Sequence, residues 1–197
     1  RKKLDHDITE EAIRHINQSE LEPSKKTTVL FNANWHKGVI GIVASRLTES
    51  FYRPTIILTE SNGLATGSAR SVEGFDLYYA ISQCSEFLEN YGGHKYAAGL
   101  TLKIENIEPF KQKFERIVRE TIDDEMLTPQ INIDAKIKLT DITPDLYHML
   151  QKFAPFGPNN TIPVFMTEKV TNFIGTKRVG RNNEHLKLVI VDDTRAC

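Results

Sequence analysis

Cysteine is scarce in this chain of 197 residues, and the two present, Cys84 and Cys197, do not build a disulfide framework. Neither has a His or Cys neighbour at metal-ligand spacing. Cys84 falls instead on the apolar stripe of a predicted helix and reads as a core residue. Long hydrophobic runs are absent too. Nothing approaches the ~18 apolar residues of a membrane span, and the opening Arg1-Lys2-Lys3-Leu4-Asp5 lacks the apolar stretch of a signal peptide. The expectation is a globular protein of a reducing cytoplasm, without membrane contact. An excess of positive charge is also missing: 25 Lys+Arg stand against 26 Asp+Glu, a net charge of −1, which argues against a generic polyanion-binding surface. The charge is unevenly placed, with 16 basic and 19 acidic residues over 1–125 but 9 and 7 over 126–197. Any nucleic-acid track must therefore be local.

What is present is a regular alternation of patterns. Residues 7–21 read as a helix with Ile8, Ala12, Ile13 and Ile16 on one face, a connector that Pro23-Ser24-Lys25-Lys26 ends before the strand Thr28–Phe31. Asn34 to Gly38 leads into a helix with the stripe Val39, Ile42, Val43, Leu47 and Phe51. The strand Ile56–Leu58 follows, turning at Asn62-Gly63 into a partner that ends near Arg70. A helix capped by Asp76 is expected to carry Leu77, Ala80, Ile81, Cys84, Leu88 and Tyr91 to a stop at Gly92. The strand Leu100–Ile104 and a helix opened by Pro109 close the unit. The order β-α-β-β-α-β-α indicates an α/β domain, mixed in character, whose mixed sheet is flanked by helices and whose loops at one end carry the candidate sites.

Asp123-Asp124-Glu125 and Pro129 mark a boundary. Beyond it the pattern becomes β-rich: a strand through Ile131, Ile133, Ala135, Ile137 and Leu139, a short helix from Thr143-Pro144, the rigid loop Pro155–Asn160, and two strands joined by the turn Gly180–Asn183. Lys177, Arg178, Arg181 and Lys187 cluster around that turn, as in a small barrel with one basic hairpin that tracks single strands, although a charged tip is also simply solvated.

Two polar stretches carry the candidate chemistry. Tyr91-Gly92-Gly93-His94-Lys95-Tyr96-Ala97-Ala98-Gly99 sets consecutive glycines beside a histidine and a lysine, so that backbone N–H groups and cationic donors can surround one anion. Gly67-Ser68-Ala69-Arg70-Ser71 places a hydroxyl two residues from a planar guanidinium, on the same side of an extended segment. A Gly-Gly pair also suits a helix C-cap, and Arg70 alone also suits a plain surface position. Together the two point to phosphate. Trp35 and His36 precede a helix whose N-terminus can face the same cleft, and Trp35 reads equally as a packing aromatic or a base-stacking one.

The run from Trp35-His36-Lys37-Gly38-Val39 to Ser45-Arg46-Leu47, then Arg53-Pro54-Thr55, Gly67 to Ser71, Gly92-Gly93-His94 with Ala97-Ala98-Gly99, and Phe153-Ala154-Pro155-Phe156-Gly157 with Pro163-Val164-Phe165, resembles the RecJ single-stranded-DNA-specific exonucleases. The Gly-Gly-His stretch alone is shared across the wider DHH/DHHA1 phosphoesterase superfamily. The resemblance covers nearly the whole chain; Lys37 stands where many relatives carry a small residue or proline. It implies a connector helix over 1–26, a DHHA1 substrate-binding domain over 27–128 and a partial OB-type domain over 129–197. It further implies that Ser68 and Arg70 hold the 5′-terminal phosphate. Gly92, Gly93 and His94 would contact the phosphate next to the metals, His94 acting catalytically by donating to a nonbridging oxygen as charge develops, while Lys95 is taken as substrate-binding from the positive charge it adds beside them. Trp35 and His36 are carried over as substrate-binding. The partners implied are single-stranded DNA and an N-terminal DHH domain of the same parent chain, which would supply Asp and His ligands for Mn²⁺ or Mg²⁺. No metal ligands and no bound cofactor are expected in these residues, Asp5-His6-Asp7 being incidental, and by itself the fragment is expected to be inactive. Two other readings stay open: a DHH/DHHA1 phosphodiesterase for short oligonucleotides or cyclic dinucleotides, and a non-catalytic binding module. An alanyl-tRNA-synthetase-type module accounts for neither the Trp35–Arg46 run nor the Phe156-Gly157 loop.

Overall fold

The computed structural model describes residues 2–18, 25–157 and 159–192. Arg1, Pro23, Ser24, Pro158 and Cys197, which entered the sequence reading at the chain start, the helix break, the rigid loop and the cysteine count, lie outside the described residues. The chain divides into two compact units, Arg1–Pro129 and Gln130–Cys197.

The first unit is a mixed α/β fold. Its elements are α1 (Lys2–Gln18), β1 (Thr28–Phe31), α2 (Ile40–Phe51), β2 (Thr55–Ser61), β3 (Leu64–Arg70), α3 (Leu77–Ser82), β4 (Leu88–His94), β5 (Ala97–Leu102) and α4 (Ile107–Thr121). Five strands make one sheet in the order β1-β2-β3-β5-β4. β1 and β2 run parallel, because the α2 crossover joins them, and every other neighbouring pair is antiparallel.

The two-residue period of the strands sorts side chains between two faces. On one face Ile56, Leu58, Ala69, Ala98, Leu100 and Leu102 meet α3 and α4, where the buried rings of Phe110 and Phe114 stack at 5.8 Å. On the other face Ile57 packs under Val43, Ala44 and Leu47 of α2. Burial of these side chains supplies the stability, at about 25 cal/mol per Å² of apolar surface removed from water. α2 packs over β2 and β3. Gly99 of β5 and Gly92 of β4, on this same face, are exposed.

α1 is built into this core. Ile8, Ala12 and Ile16 are buried with Trp35, Val39 and Val43, as their helical spacing requires. Asp5 accepts two bonds of 3.2 Å from Arg46, and Glu11 accepts from Asn32 Nδ2 at 2.9 Å and Trp35 Nε1 at 3.1 Å. The Asp5-His6-Asp7 run thus supplies a structural ion pair that ties α1 to α2.

One expected helix proves to be two different elements. The helix begins at the Asp76 cap, as anticipated, but stops at Ser82; a 3₁₀ turn over Ser85–Phe87 leads into strand β4. The physical reason is a β-bulge between Leu88 and Asn90. Leu88 pairs with Leu102 and Tyr91 with Leu100, so residues three apart share one face, which imitates helical periodicity. Gly92 and Gly93 disfavour a helix there, and pairing with β5 decides the outcome. A second departure is Ile42, assigned to the buried stripe of α2 but 44% exposed. Burial pushes the thiol of Cys84, a core residue, up to about 12.

The second unit is β-rich. It contains α5 (Pro144–Gln151), capped by Thr143 Oγ1, which accepts from Leu146 N. Its strands β6 (Ala135–Lys136), β7 (Phe165–Met166), β8 (Thr171–Asn172), β9 (Lys177–Val179), β10 (His185–Lys187) and β11 (Ile190–Val191) form three two-stranded ladders, β6/β7, β8/β11 and β9/β10. Among the described residues of this unit none is buried, and Ile131 and Ile133, expected inside a strand core, are 77% and 46% exposed.

Candidate phosphate-binding site

Both candidate stretches lie on strands rather than in loops, which corrects the expectation of two sites in loops at one end of the sheet. The β3/β5 register pairs Ser68 with Gly99 and Arg70 with Ala97, and the β4/β5 register pairs Gly99 with Gly92 and Ala97 with His94. Directly opposed residues share a face, so Ser68, Arg70, Gly92 and His94 come to one face of the sheet. Ser68–Gly99–Gly92 forms one row across three strands and Arg70–Ala97–His94 the next. Two strand spacings, about 9–10 Å, separate the β3 and β4 positions.

Arg70 is held firmly. Its Nε donates to Ser45 Oγ at 3.2 Å, and Nη1 donates to Ser68 Oγ at 3.1 Å and to the Ala69 carbonyl at 2.8 Å. Nη2 has no protein acceptor among the described residues, which leaves its donors to a ligand. The guanidinium opens on a groove of about 620 Å³ lined by Lys37, Gly41, Ile42, Ser45 and Ser68. Exposure of Ile42 follows from its place on this wall.

His94 is exposed at the end of β4, where its Nδ1 accepts from Tyr96 N at 3.3 Å. The neutral ring therefore carries its proton on Nε2, and Nε2–H is the donor turned outward. The neighbouring glycines differ. Gly93 has φ +150°, and a Cβ there would lie 2.3 Å from the Ala97 carbonyl oxygen, so the fold itself demands glycine. At Gly92 no heavy atom of the described residues, its chain neighbours apart, lies within 4 Å of a Cβ position. Its backbone is open to approach from outside. Lys95 is exposed in the β4–β5 turn, with Nζ 5.5 Å from the Tyr96 ring centroid.

Other predicted residues fall elsewhere. Trp35 is 4% exposed in the α1/α2 core, so it is a packing aromatic and not a stacking surface. It is the single tryptophan of the chain. Its emission is expected to be blue-shifted, insensitive to iodide and unchanged by a single-stranded oligonucleotide; quenching by the strand would contradict its buried position. His36 is exposed, its Nδ1 accepting from Gly38 N at 3.0 Å. Arg53 belongs to the scaffold, donating to Thr28 Oγ1 at 2.7 Å and to the Lys25 carbonyl at 3.0 Å, and burial lowers its pKa.

In the second unit Lys177, Arg178, Arg181 and Lys187 are exposed on the β9/β10 hairpin. Lys177 opposes Lys187 while Arg178 opposes Leu186, so the two lysines share one face and Arg178 points to the other. At the tip, hydrogen bonds from its own N–H and that of Asn182 hold the Glu184 carboxyl below its ordinary range. The sequence reading missed Gly41 and Ser45. The available signal was their spacing of four on one helix face, with glycine in the apolar first turn of the helix.

The described residues do not fit a divalent-metal centre: no three His, Cys, Asp or Glu side chains among them converge on one point. Nor is any described helix long and apolar enough to cross a membrane.

Comparison with known proteins gives this arrangement its class. The family model of the DHHA1 domain matches residues 24–120, and that of the RecJ OB domain matches residues 133–197. The single-stranded-DNA-specific exonuclease RecJ of Bacillus subtilis is 35% identical over 98% of this chain and 25% of its own length. That of Haemophilus influenzae is 30% identical over 82% of this chain and 28% of its own length. A crystal structure of RecJ from Thermus thermophilus in complex with Mg²⁺ superposes with a TM-score of 0.78 at 25% identity, covering 96% of this chain and 28% of that one. The chain belongs to the RecJ family. It spans about a quarter of the length of these relatives.

Proposed function

We propose that this chain is the substrate-binding part of a 5′→3′ single-stranded-DNA exonuclease acting in DNA repair and recombination in the cytoplasm. Residues 27–128 serve as the DHHA1 domain and 129–197 as an OB-type domain. The observation that carries the proposal is the shared face of Arg70 and His94, two strands apart on a floor of glycine and alanine. Ser68 and Arg70 grip the 5′-terminal phosphate. Gly92 admits the following phosphate to the sheet, and His94 donates from Nε2 to its nonbridging oxygen. Two-metal hydrolysis requires carboxylates that converge on the cations, and these are assigned to a DHH domain outside these residues, binding Mg²⁺ or Mn²⁺. The chain alone should then release no nucleotides from single-stranded DNA with either metal.

Binding of 5′-phosphorylated and 5′-hydroxyl oligonucleotides to the chain, read by fluorescence anisotropy, tests the proposal. Tighter binding of the phosphorylated strand supports it. Equal affinities would remove the basis for the Arg70 assignment.

A phosphodiesterase for short oligonucleotides or cyclic dinucleotides uses the same phosphate contacts. The β-rich second unit favours the polymer, because a long strand needs a second surface along its backbone. If the face bearing Lys177 and Lys187 tracks that backbone, replacing both by Gln should weaken long strands and flatten the log–log salt dependence by about 1.4, from roughly 0.7 per contact. Replacing Lys177 and Arg178, which point to opposite faces, should change the slope by about half as much. Equal slopes for both double variants and the parent would make the hairpin a solvated tip.

A further inference from the structure

We propose that Gly41 determines the preference of this site for a 5′-phosphate over a 5′-hydroxyl end, and that Ser45 is the residue that positions Arg70 for it. The inference rests on the reading that Arg70 meets a terminal phosphate.

Gly41 sits in the first turn of α2, where glycine is a poorer helix former than alanine. Its backbone conformation is an ordinary one, so the helix gives no reason for glycine. The reason lies across the groove. A methyl group at this position would stand 3.2 Å from both Arg70 Nη2 and Ser68 Oγ. Those are the two atoms with donors left over: Nη1 is consumed by Ser68 Oγ and the Ala69 carbonyl, while Ser68 Oγ accepts from Nη1 and keeps its own proton. Glycine thus holds open a notch, about a methyl group wide, where the spare donors of β3 converge below α2. A phosphate oxygen resting against the Gly41 Cα reaches hydrogen-bond distance of both. A bridging oxygen would bring its carbon substituent into the same notch, so the notch takes a nonbridging phosphate oxygen, which a 5′-hydroxyl end does not offer at that place.

Ser45 stands one turn further along α2. Its hydroxyl donates to the Gly41 carbonyl at 3.1 Å, which commits its single proton and turns a lone pair to Arg70 Nε at 3.2 Å. The guanidinium is then fixed on two sides, and Nη2 is the edge presented to the notch. Ser45 itself touches no ligand in this arrangement. It acts through Arg70.

The test uses the whole chain, its Gly41→Ala, Ser45→Ala and Ser45→Thr variants, and oligothymidylates that differ only in a 5′-phosphate. The wild type should prefer the phosphorylated strand, and Gly41→Ala should lose about tenfold or more of that preference, as for one charge-assisted hydrogen bond, without a fall in melting temperature. Ser45→Ala should lose part of the preference and Ser45→Thr should restore it, which a purely structural role would not produce. If the wild type shows the preference and both Gly41→Ala and Ser45→Ala retain it, the notch does not read the phosphate and the inference falls while the functional reading stands. If the wild type shows no preference, the functional reading falls first and takes the inference with it.

Discussion

Gly93→Ala should destabilise the protein by about 3 kcal/mol or more, combining backbone strain of about 1–3 kcal/mol with an overpacking penalty of similar size. The added methyl would meet the Ala97 carbonyl oxygen at 2.3 Å and the Ala98 Cα at 2.6 Å, both backbone atoms of a paired strand that cannot swing aside. A positive φ of +150° adds to the cost. Against a total stability of roughly 5–15 kcal/mol this is a large fraction, and urea denaturation should show a lower midpoint. Gly92→Ala is the contrasting variant. With nothing within 4 Å of its Cβ, the fold should tolerate or slightly gain from alanine there, while affinity for single-stranded DNA declines. Equal destabilisation by the two substitutions would show that Gly92 is also structural and would remove the argument for its functional bareness.

The second large effect concerns the division of labour between Arg70 and His94, measured in the full-length enzyme that the proposed function requires. His94→Ala should lower kcat by about 10²–10³-fold, the scale of one lost donor to developing negative charge. The Michaelis constant should change little, since the outward Nε2–H strengthens its bond only as that charge appears. Arg70→Ala should instead weaken binding of the 5′-phosphorylated end by about 1.5–3 kcal/mol, with turnover of bound substrate largely kept. The reverse pattern, with His94→Ala acting on affinity and Arg70→Ala on turnover, would exchange the two assignments. Loss of both parameters in each variant would mean that the two side chains act as one unit.

The sequence made much of this visible, and its failures have a common cause. The helical spacing of Phe110, Phe114, Ile117 and Val118 is enough to predict their burial, because α4 is a regular amphipathic helix on a single core. The cap at Asp76 was legible because its side chain accepts from Tyr79 N, a local contact. The strand β4 was not. Its bulge places Leu88 and Tyr91 on one face, and no local signal separates that spacing from a turn of helix. The residue types of the site, Ser68, Arg70, Gly92 and His94, could be picked out one at a time. Their convergence could not, because it follows from the pairing of β3 and β4 with opposite edges of β5, a long-range register. Trp35 shows the same limit: whether an aromatic before a helix faces ligand or core depended on Glu11, 24 residues upstream.

His94 stands on an edge strand, and that position governs how the site breathes. Among the described residues β4 is bonded to a single strand, and a sheet opens most readily from such an edge. Amide exchange should accordingly be fastest along β4 and slowest in β2 and β3, with the His94 rung opening many times for each unfolding of the core. A strand of DNA that touches Arg70 on one side and His94 on the other would close that edge as it binds. Slowed exchange along Leu88–His94 would then report occupancy of the site without any chemistry taking place.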